Sequence, residues 1–252
     1  MNHQLGLVLS GGGVRGAAHA GVIKALEEEN IEVDCISGTS AGAVAGVLYA
    51  AGYKAEDILQ FFIETKIFQL SNFTFLKPGL LDSKDYAVWL NKYLNEVTFD
   101  SLDKPLFVAV TNLLLAEYEI FDSGPVVPVI QASAAVPIIF TPVEIGEGLY
   151  ADGGVLNNFP IEPLLGRCKH ILGVNVNPLK KAVKQELDGV FDVLERVYHI
   201  STRYETALKV RKCDWLIQPD ELLQFNIFDM DKAEEAFEIG YREALGVIER
   251  MK

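Results

Sequence analysis

Hydrophobic and polar positions switch between two periods along the first fifth of the chain. Residues 5–9 form a short apolar run, the pattern of a buried strand, and 10–13 follow as a turn. From Val14 the period becomes helical: Ala18, Val22, Ala25 and Leu26 share one face, and Glu27 to Glu29 close it. Residues 31–37 read as a second strand. Residues 40–51 are small and apolar, as in a helix packed close on a sheet, and Gly52 ends it. Strand, helix, strand, helix in this order predicts parallel strands joined by helical crossovers.

Further on, 106–115 is another apolar strand, with 117–121 returning beside it as a hairpin. Residues 126–135 look helical and stop at Pro137, 141–150 look extended, and 171–176 read as a buried strand ending at Asn177-Pro178. A charged loop, 179–186, precedes a long amphipathic helix at about 190–210. A short strand is expected at 215–217 and a closing helix at 231–251, with Asp231 as its N-cap. The segment 58–81 is the least regular, read as a helix and then a loop. It carries Phe61, Phe62, Phe68, Phe73 and Phe75 before Pro78-Gly79. Two readings stand for these aromatics: a lid or acyl-chain channel, and ordinary core.

Composition narrows the function classes. With 252 residues, half of them hydrophobic, the chain can bury one sizeable core, and a single domain over 1–252 is expected. A net charge of −13 repels phosphate backbones, so no nucleic-acid partner is expected, nor a polybasic hold on anionic lipid. Local hydrophobic docking remains open. Cys35, Cys168 and Cys213 match no metal or redox spacing and read as idle thiols of a reducing compartment. The opening residues have no signal-peptide pattern, and no apolar run is long enough to span a bilayer. A cytoplasmic protein is expected.

Gly11-Gly12-Gly13-Val14-Arg15-Gly16 fits the G-x-G-x-x-G dinucleotide fingerprint and stands between a strand and a helix. That reading needs an acidic residue at the end of the second strand, but Asp34 lies near that strand's beginning. The same glycines let backbone N–H groups converge on an anion at a helix N-terminus, which in acyl transfer is the tetrahedral oxyanion. Arg15 is a candidate for holding a substrate phosphate or orienting the turn, and reads equally as a surface cation. Gly38-Thr39-Ser40-Ala41-Gly42 is a G-x-S-x-G sequence between strand and helix. There the small flanking residues permit a sharp turn that displays the hydroxyl. Its plain alternative is a helix N-cap.

A serine nucleophile needs a base. None of the four histidines, His3, His19, His170 and His199, falls in a glycine-rich loop after a strand. Asp152 does: Tyr150-Ala151-Asp152-Gly153-Gly154 sets an acid after an extended segment, before two glycines.

Together these motifs resemble the patatin-like phospholipase family of bacterial type. The pattern is a G-G-G-x-R/K-G loop at Gly11 to Gly16, a G-x-S-x-G at Gly38 to Gly42 and a D-G-G at Asp152 to Gly154. A small-residue block ending in proline, Ala132-Ser133-Ala134-Ala135-Val136-Pro137, extends it, and His19 fits the family's opening helix. The resemblance spans residues 5–160. It implies a three-layer α/β/α fold with a mostly parallel central sheet. It also implies a serine lipid acyl hydrolase of phospholipase A, lysophospholipase or carboxylesterase type, using no metal and no cofactor. Ser40 would be the nucleophile, Asp152 the general base, and the amides of Gly11, Gly12 and Gly13 the oxyanion hole. Arg15, Gly16, Gly38, Gly42, Gly153 and Gly154 would support them. The substrate would be a phospholipid or other acyl ester, with transient membrane-surface contact. The rival readings are a catalytically silent lipid-binding or adaptor protein on this fold and a dinucleotide-binding oxidoreductase.

Overall fold

The computed structural model describes residues 3–64, 79, 81–178, 181, 187–226 and 229–252. Parallel strands β1 (His3–Leu9), β2 (Cys35–Thr39), β3 (Leu106–Asn112), β7 (Cys168–Val174) and β8 (Trp215–Ile217) lie in the order β3-β2-β1-β7-β8. Three antiparallel strands join at the β3 side: β4 (Glu117–Phe121), β5 (Val143–Ile145) and β6 (Gly148–Asp152). The central strands are buried on both faces, which explains their continuous apolar runs.

One face carries the main core. Helices α1 (Ala17–Glu28), α2 (Ala41–Ala50), α3 (Ala55–Glu64), α5 (Val126–Ser133) and α7 (Ala233–Ile248) contribute to it, with α4 (Ser83–Leu94) behind α5. The other face carries a smaller cluster around Val8, Phe107, Phe159 and Ile171, with α6 (Val190–Lys209) on that side. Helices thus flank a mostly parallel sheet, the three-layer α/β/α arrangement expected.

Several boundaries differ from the sequence reading. The second strand is Cys35–Thr39, not 31–37: Asn30 turns with φ 53, and Asp34 Oδ2 accepts the N–H groups of Gln4 and Leu5 at 3.1 and 2.8 Å. Asp34 is therefore occupied at the far end of the sheet from the glycine turn. The helix expected from Val14 begins with a tight 3₁₀ turn, Gly13–Gly16. Strand β3 stops at Asn112, and Leu113 to Leu115 form the turn into β4. The extended stretch 141–150 is a hairpin that turns at Gly146, φ +60.

Helix α4 had no counterpart in the sequence reading; Asp82 caps it by accepting from Lys84 N–H at 3.1 Å. Asp231 is not the N-cap of the closing helix, because a 3₁₀ turn, Met230–Lys232, runs directly into Ala233. Of the phenylalanines weighed as a lid, Phe61 and Phe62 are buried in the core, while Phe68, Phe73 and Phe75 lie outside the described residues.

Candidate active site

The β3 pairing register brings the two key motifs together. Its residues 106–109 pair with β2 and its residues 110–112 with β6, while β4 pairs with 108–112. A strand has two edges, so β2 and β6 lie end to end along the same one. Thr39 is opposite Ala109 and Asp152 opposite Val110, so the strand carrying the serine and the strand carrying the acid meet head-on. A Cβ on Gly153 would collide with Ala109 O, so only glycine fits this junction.

Ser40 leaves β2 with φ 52 and ψ −123, a backbone region that non-glycine residues rarely adopt. The turn is held in three ways. Ser40 N–H donates to Ser133 Oγ (2.9 Å), which in turn donates to Ala109 O (2.7 Å). Thr39 Oγ1 donates to Asn157 O (2.8 Å). The first turn of α2 presses against the end of β1 so closely that a Cβ on Gly42 would collide with Leu9 O. Gly38 packs against the backbone of Gly42, and Gly16 against Ala41. The sharp strand-to-helix form of an elbow is therefore present, with Ser40 at the N-terminus of α2.

Ser40 Oγ donates to Asp152 Oδ2 at 2.6 Å, and both side chains are buried. Asp152 Oδ1 accepts from Gly154 N–H (2.7 Å) and from the Tyr198 hydroxyl (2.9 Å). Burial pushes the Asp152 carboxyl up from its ordinary 3.8 to about 6, against the downward pull of these three donors, Ser40 first. It is still mainly ionised at neutral pH, yet far more basic than an exposed aspartate.

The glycine turn reaches the same place from β1, but its three amides are not equivalent. Gly11 N–H donates to Asn158 O (3.2 Å), and Gly11 O accepts from Ser10 Oγ (3.1 Å) and Asn177 Nδ2. Both polar groups of the Gly11 backbone are thus bonded within the frame. The N–H groups of Gly12 and Gly13 make no hydrogen bond to a described residue, and Gly13 has φ 56. Arg15 is buried: its Nε donates to Phe225 O (2.9 Å), Nη2 to the same carbonyl and Nη1 to Asn177 Oδ1 (3.0 Å). It is therefore not a surface cation, and these bonds fit orienting the turn.

His19 is buried, and its Nε2 bonds Ser10 O at 2.8 Å. Burial pushes its pKa down to about 4, so the ring is neutral and its N–H is spent on the turn. Burial, with Arg15 and Arg196 near, lowers His199 to about 3. Among the described residues no cluster of His, Cys, Asp and Glu has the makings of a metal site. Cys35, Cys168 and Cys213 are free thiols, and burial raises Cys35 and Cys213 to about 12.

The family model for patatin-like phospholipases matches residues 7–165, which include every one of these motifs. The chain belongs to the patatin-like phospholipase family. Lysophospholipase NTE1 of Mycosarcoma maydis is 27% identical over 97% of this chain, which covers 15% of that protein. An uncharacterised NTE family protein of Mycobacterium tuberculosis is 33% identical over 65% of this chain, covering 46% of its own length. The chain thus spans less than half of these relatives. VipD from Legionella pneumophila shares the fold, with a TM-score of 0.63, 18% identity and coverage of 99% of this chain and 67% of that one.

Within this patatin-like site, four supporting residues carried no sequence signal strong enough to single them out. Ser133 lies in the small-residue block but was assigned no role. Asn158 and Asn177 follow a glycine pair and a strand end and look like ordinary turn residues. Tyr198 sits on α6, 46 residues from the acid that it contacts, outside the matched family region.

Proposed function

We propose that this chain is a serine lipid acyl hydrolase working through a Ser40–Asp152 dyad. The observation that carries this is the 2.6 Å hydrogen bond between Ser40 Oγ and the buried, basicity-raised Asp152 carboxylate. Ser40 Oγ attacks the ester carbonyl as its proton passes to Asp152 Oδ2. The oxyanion of the tetrahedral intermediate is stabilised by the N–H groups of Gly12 and Gly13 and by the α2 N-terminus. Asp152 returns the proton to the departing alcohol, and a water deprotonated by the same carboxylate then releases the acyl group. Tyr198 and Gly154 fix the carboxylate with Oδ2 facing the serine.

Family membership and the likeness to a lysophospholipase support a lipid ester, of phospholipase A, lysophospholipase or carboxylesterase type, as substrate. The three free thiols fit a reducing, cytoplasmic setting. A fluorophosphonate probe tests the nucleophile: mass spectrometry is expected to place one adduct on Ser40, absent in Ser40→Ala. Failure of the folded wild-type chain to label would overturn the reading and favour a silent lipid-binding protein on this fold.

A further inference from the structure

Helix α6 turns an apolar stripe outward: Val193, Val197, Ile200, Tyr204 and Leu208 are all exposed. Another side of the helix carries His199, Thr202, Arg203 and Thr206 at helical spacing, and the 3₁₀ turn that follows, Val210–Lys212, adds Arg211. These residues wall a cavity of about 320 Å³ against the ends of two strands. Asn175 directly follows β7 and Gln218 directly follows β8. The cavity thus lies at the carboxyl ends of parallel strands, where open α/β sheets bind ligands.

Its walls are rich in donors and free of acid. Among the described residues no aspartate or glutamate lines it, in a chain that has 35 of them. Arg203 and Arg211 both line it, and neither forms an ion pair or hydrogen bond with a described residue. Asn158 and Thr202 are only 5% and 6% exposed, yet their side chains bond no described residue. Buried polar side chains are normally paired, so these two are available to a ligand. Asn175 Nδ2 donates to Gln218 Oε1 (2.8 Å), which leaves the Gln218 amide nitrogen as a further donor. His199 is neutral, held so by burial and by Arg15 and Arg196 nearby.

Asn158 joins the cavity to the dyad. A Cβ on Gly11 would meet Asn158 Oδ1 at 2.5 Å and Ser40 Cβ at 3.2 Å, and one on Gly154 would meet the same oxygen at 2.7 Å and Asp152 Oδ1 at 3.0 Å. The donor set suits a phosphoryl group, whose oxygens pair with guanidinium groups and accept from amides and hydroxyls. It does not suit a quaternary ammonium, which is held by carboxylates or aromatic faces, because no Asp, Glu, Phe, Tyr or Trp lines the cavity among the described residues. The overall charge of −13 is screened beyond about 8 Å at physiological salt, whereas these donors act at contact. We propose that this cavity takes the phosphoryl group of an anionic phospholipid whose acyl ester lies at Ser40, so that lipids with an uncharged polyol head group are preferred over choline lipids. The assignment of the phosphoryl group to a lipid rests on the hydrolase reading above.

The test compares kcat/KM for monomeric lysophosphatidylglycerol and lysophosphatidylcholine of equal acyl chain, in wild type and in Arg203→Gln/Arg211→Gln. Wild type should prefer the glycerol lipid by about tenfold or more, and the double variant should lose that preference, mainly through KM. The same variant should hydrolyse a neutral short-chain ester at the wild-type rate. Equal rates on the two lipids, a preference for the choline lipid, or a preference that survives in the variant would overturn the proposal. Binding is read apart from turnover by calorimetric titration of glycerol 3-phosphate and of inorganic phosphate into Ser40→Ala protein. Glycerol 3-phosphate should bind, and adding the two arginine substitutions should abolish it. Phosphate binding without any preference between the lipids would make the cavity a site for free phosphate and overturn the head-group assignment. A chain that binds glycerol 3-phosphate through both arginines but fails to label at Ser40 would refute the enzyme reading and leave the phosphoryl site standing.

Discussion

The two helical layers treat the sheet in opposite ways. Helix α2 turns an unbroken set of small apolar residues to the core, with Ala43, Val44, Val47 and Leu48 fully or almost fully buried. Helix α6 turns hydroxyls and an ammonium inward and valine, isoleucine and tyrosine outward. The first layer holds the Ser40 turn by packing, since so strained an elbow persists only where close contacts hold it. The second layer reaches Asp152 through the Tyr198 hydroxyl, and α6 contributes little apolar burial. Stability should therefore reside in the first layer and catalytic tuning in the second.

The largest expected effect on folding lies in the first layer. Leu48→Ala should cost about 2–5 kcal/mol in denaturant unfolding, the usual range for a fully buried leucine. A loss below 1 kcal/mol would mean that this layer is not the stable one.

Next comes Asp152→Asn. A carboxyl whose folded pKa is raised holds more protons folded than unfolded, so its ionisation removes stability as pH rises from about 4 to about 6. The gap from 3.8 to about 6 corresponds to roughly 3 kcal/mol, an upper figure for this strongly hydrogen-bonded group. Asp152→Asn should therefore melt higher than wild type above pH 6 and level with it below pH 4. A variant less stable at pH 8 would show that the ionised acid stabilises the fold.

Smaller again is Tyr198→Phe. It removes a donor that favours the carboxylate, so the acid limb of the pH–rate profile should move upward, by less than about 1 pH unit, with little change in melting temperature. Smallest is Ile200→Ser on the exposed stripe, with an expected stability change within about 0.5 kcal/mol. A large loss at Ile200 would show that the stripe packs against protein and would erase the contrast between the layers.

Legibility in the sequence follows the same division. The first layer is written in short-range signals: glycines where backbones nearly touch, small residues in α2, and apolar runs for buried strands. The turns at Ser40, at Asp152 and at Gly11 to Gly16 could be placed from these. Which glycine amides remain unpaired was not legible, because Gly11 is taken by Asn158, a partner far along the chain. Nor was the role of α6. Its periodicity is plain, but an amphipathic pattern does not say which face turns inward, and the hydrogen bonds of Tyr198 and Lys209 overrule the usual direction. Helix α4 is not legible because its cap, Asp82, directly follows a segment without a clear period.

The central claim is that Asp152 takes the proton from Ser40. Its most direct test is kcat/KM for a soluble ester measured against pH in wild type and Asp152→Asn. The account predicts a wild-type acid limb near pH 6 and a loss of about 10²–10⁴-fold in the variant at every pH. A variant that keeps the wild-type rate, or a wild-type profile flat through pH 6, would contradict it.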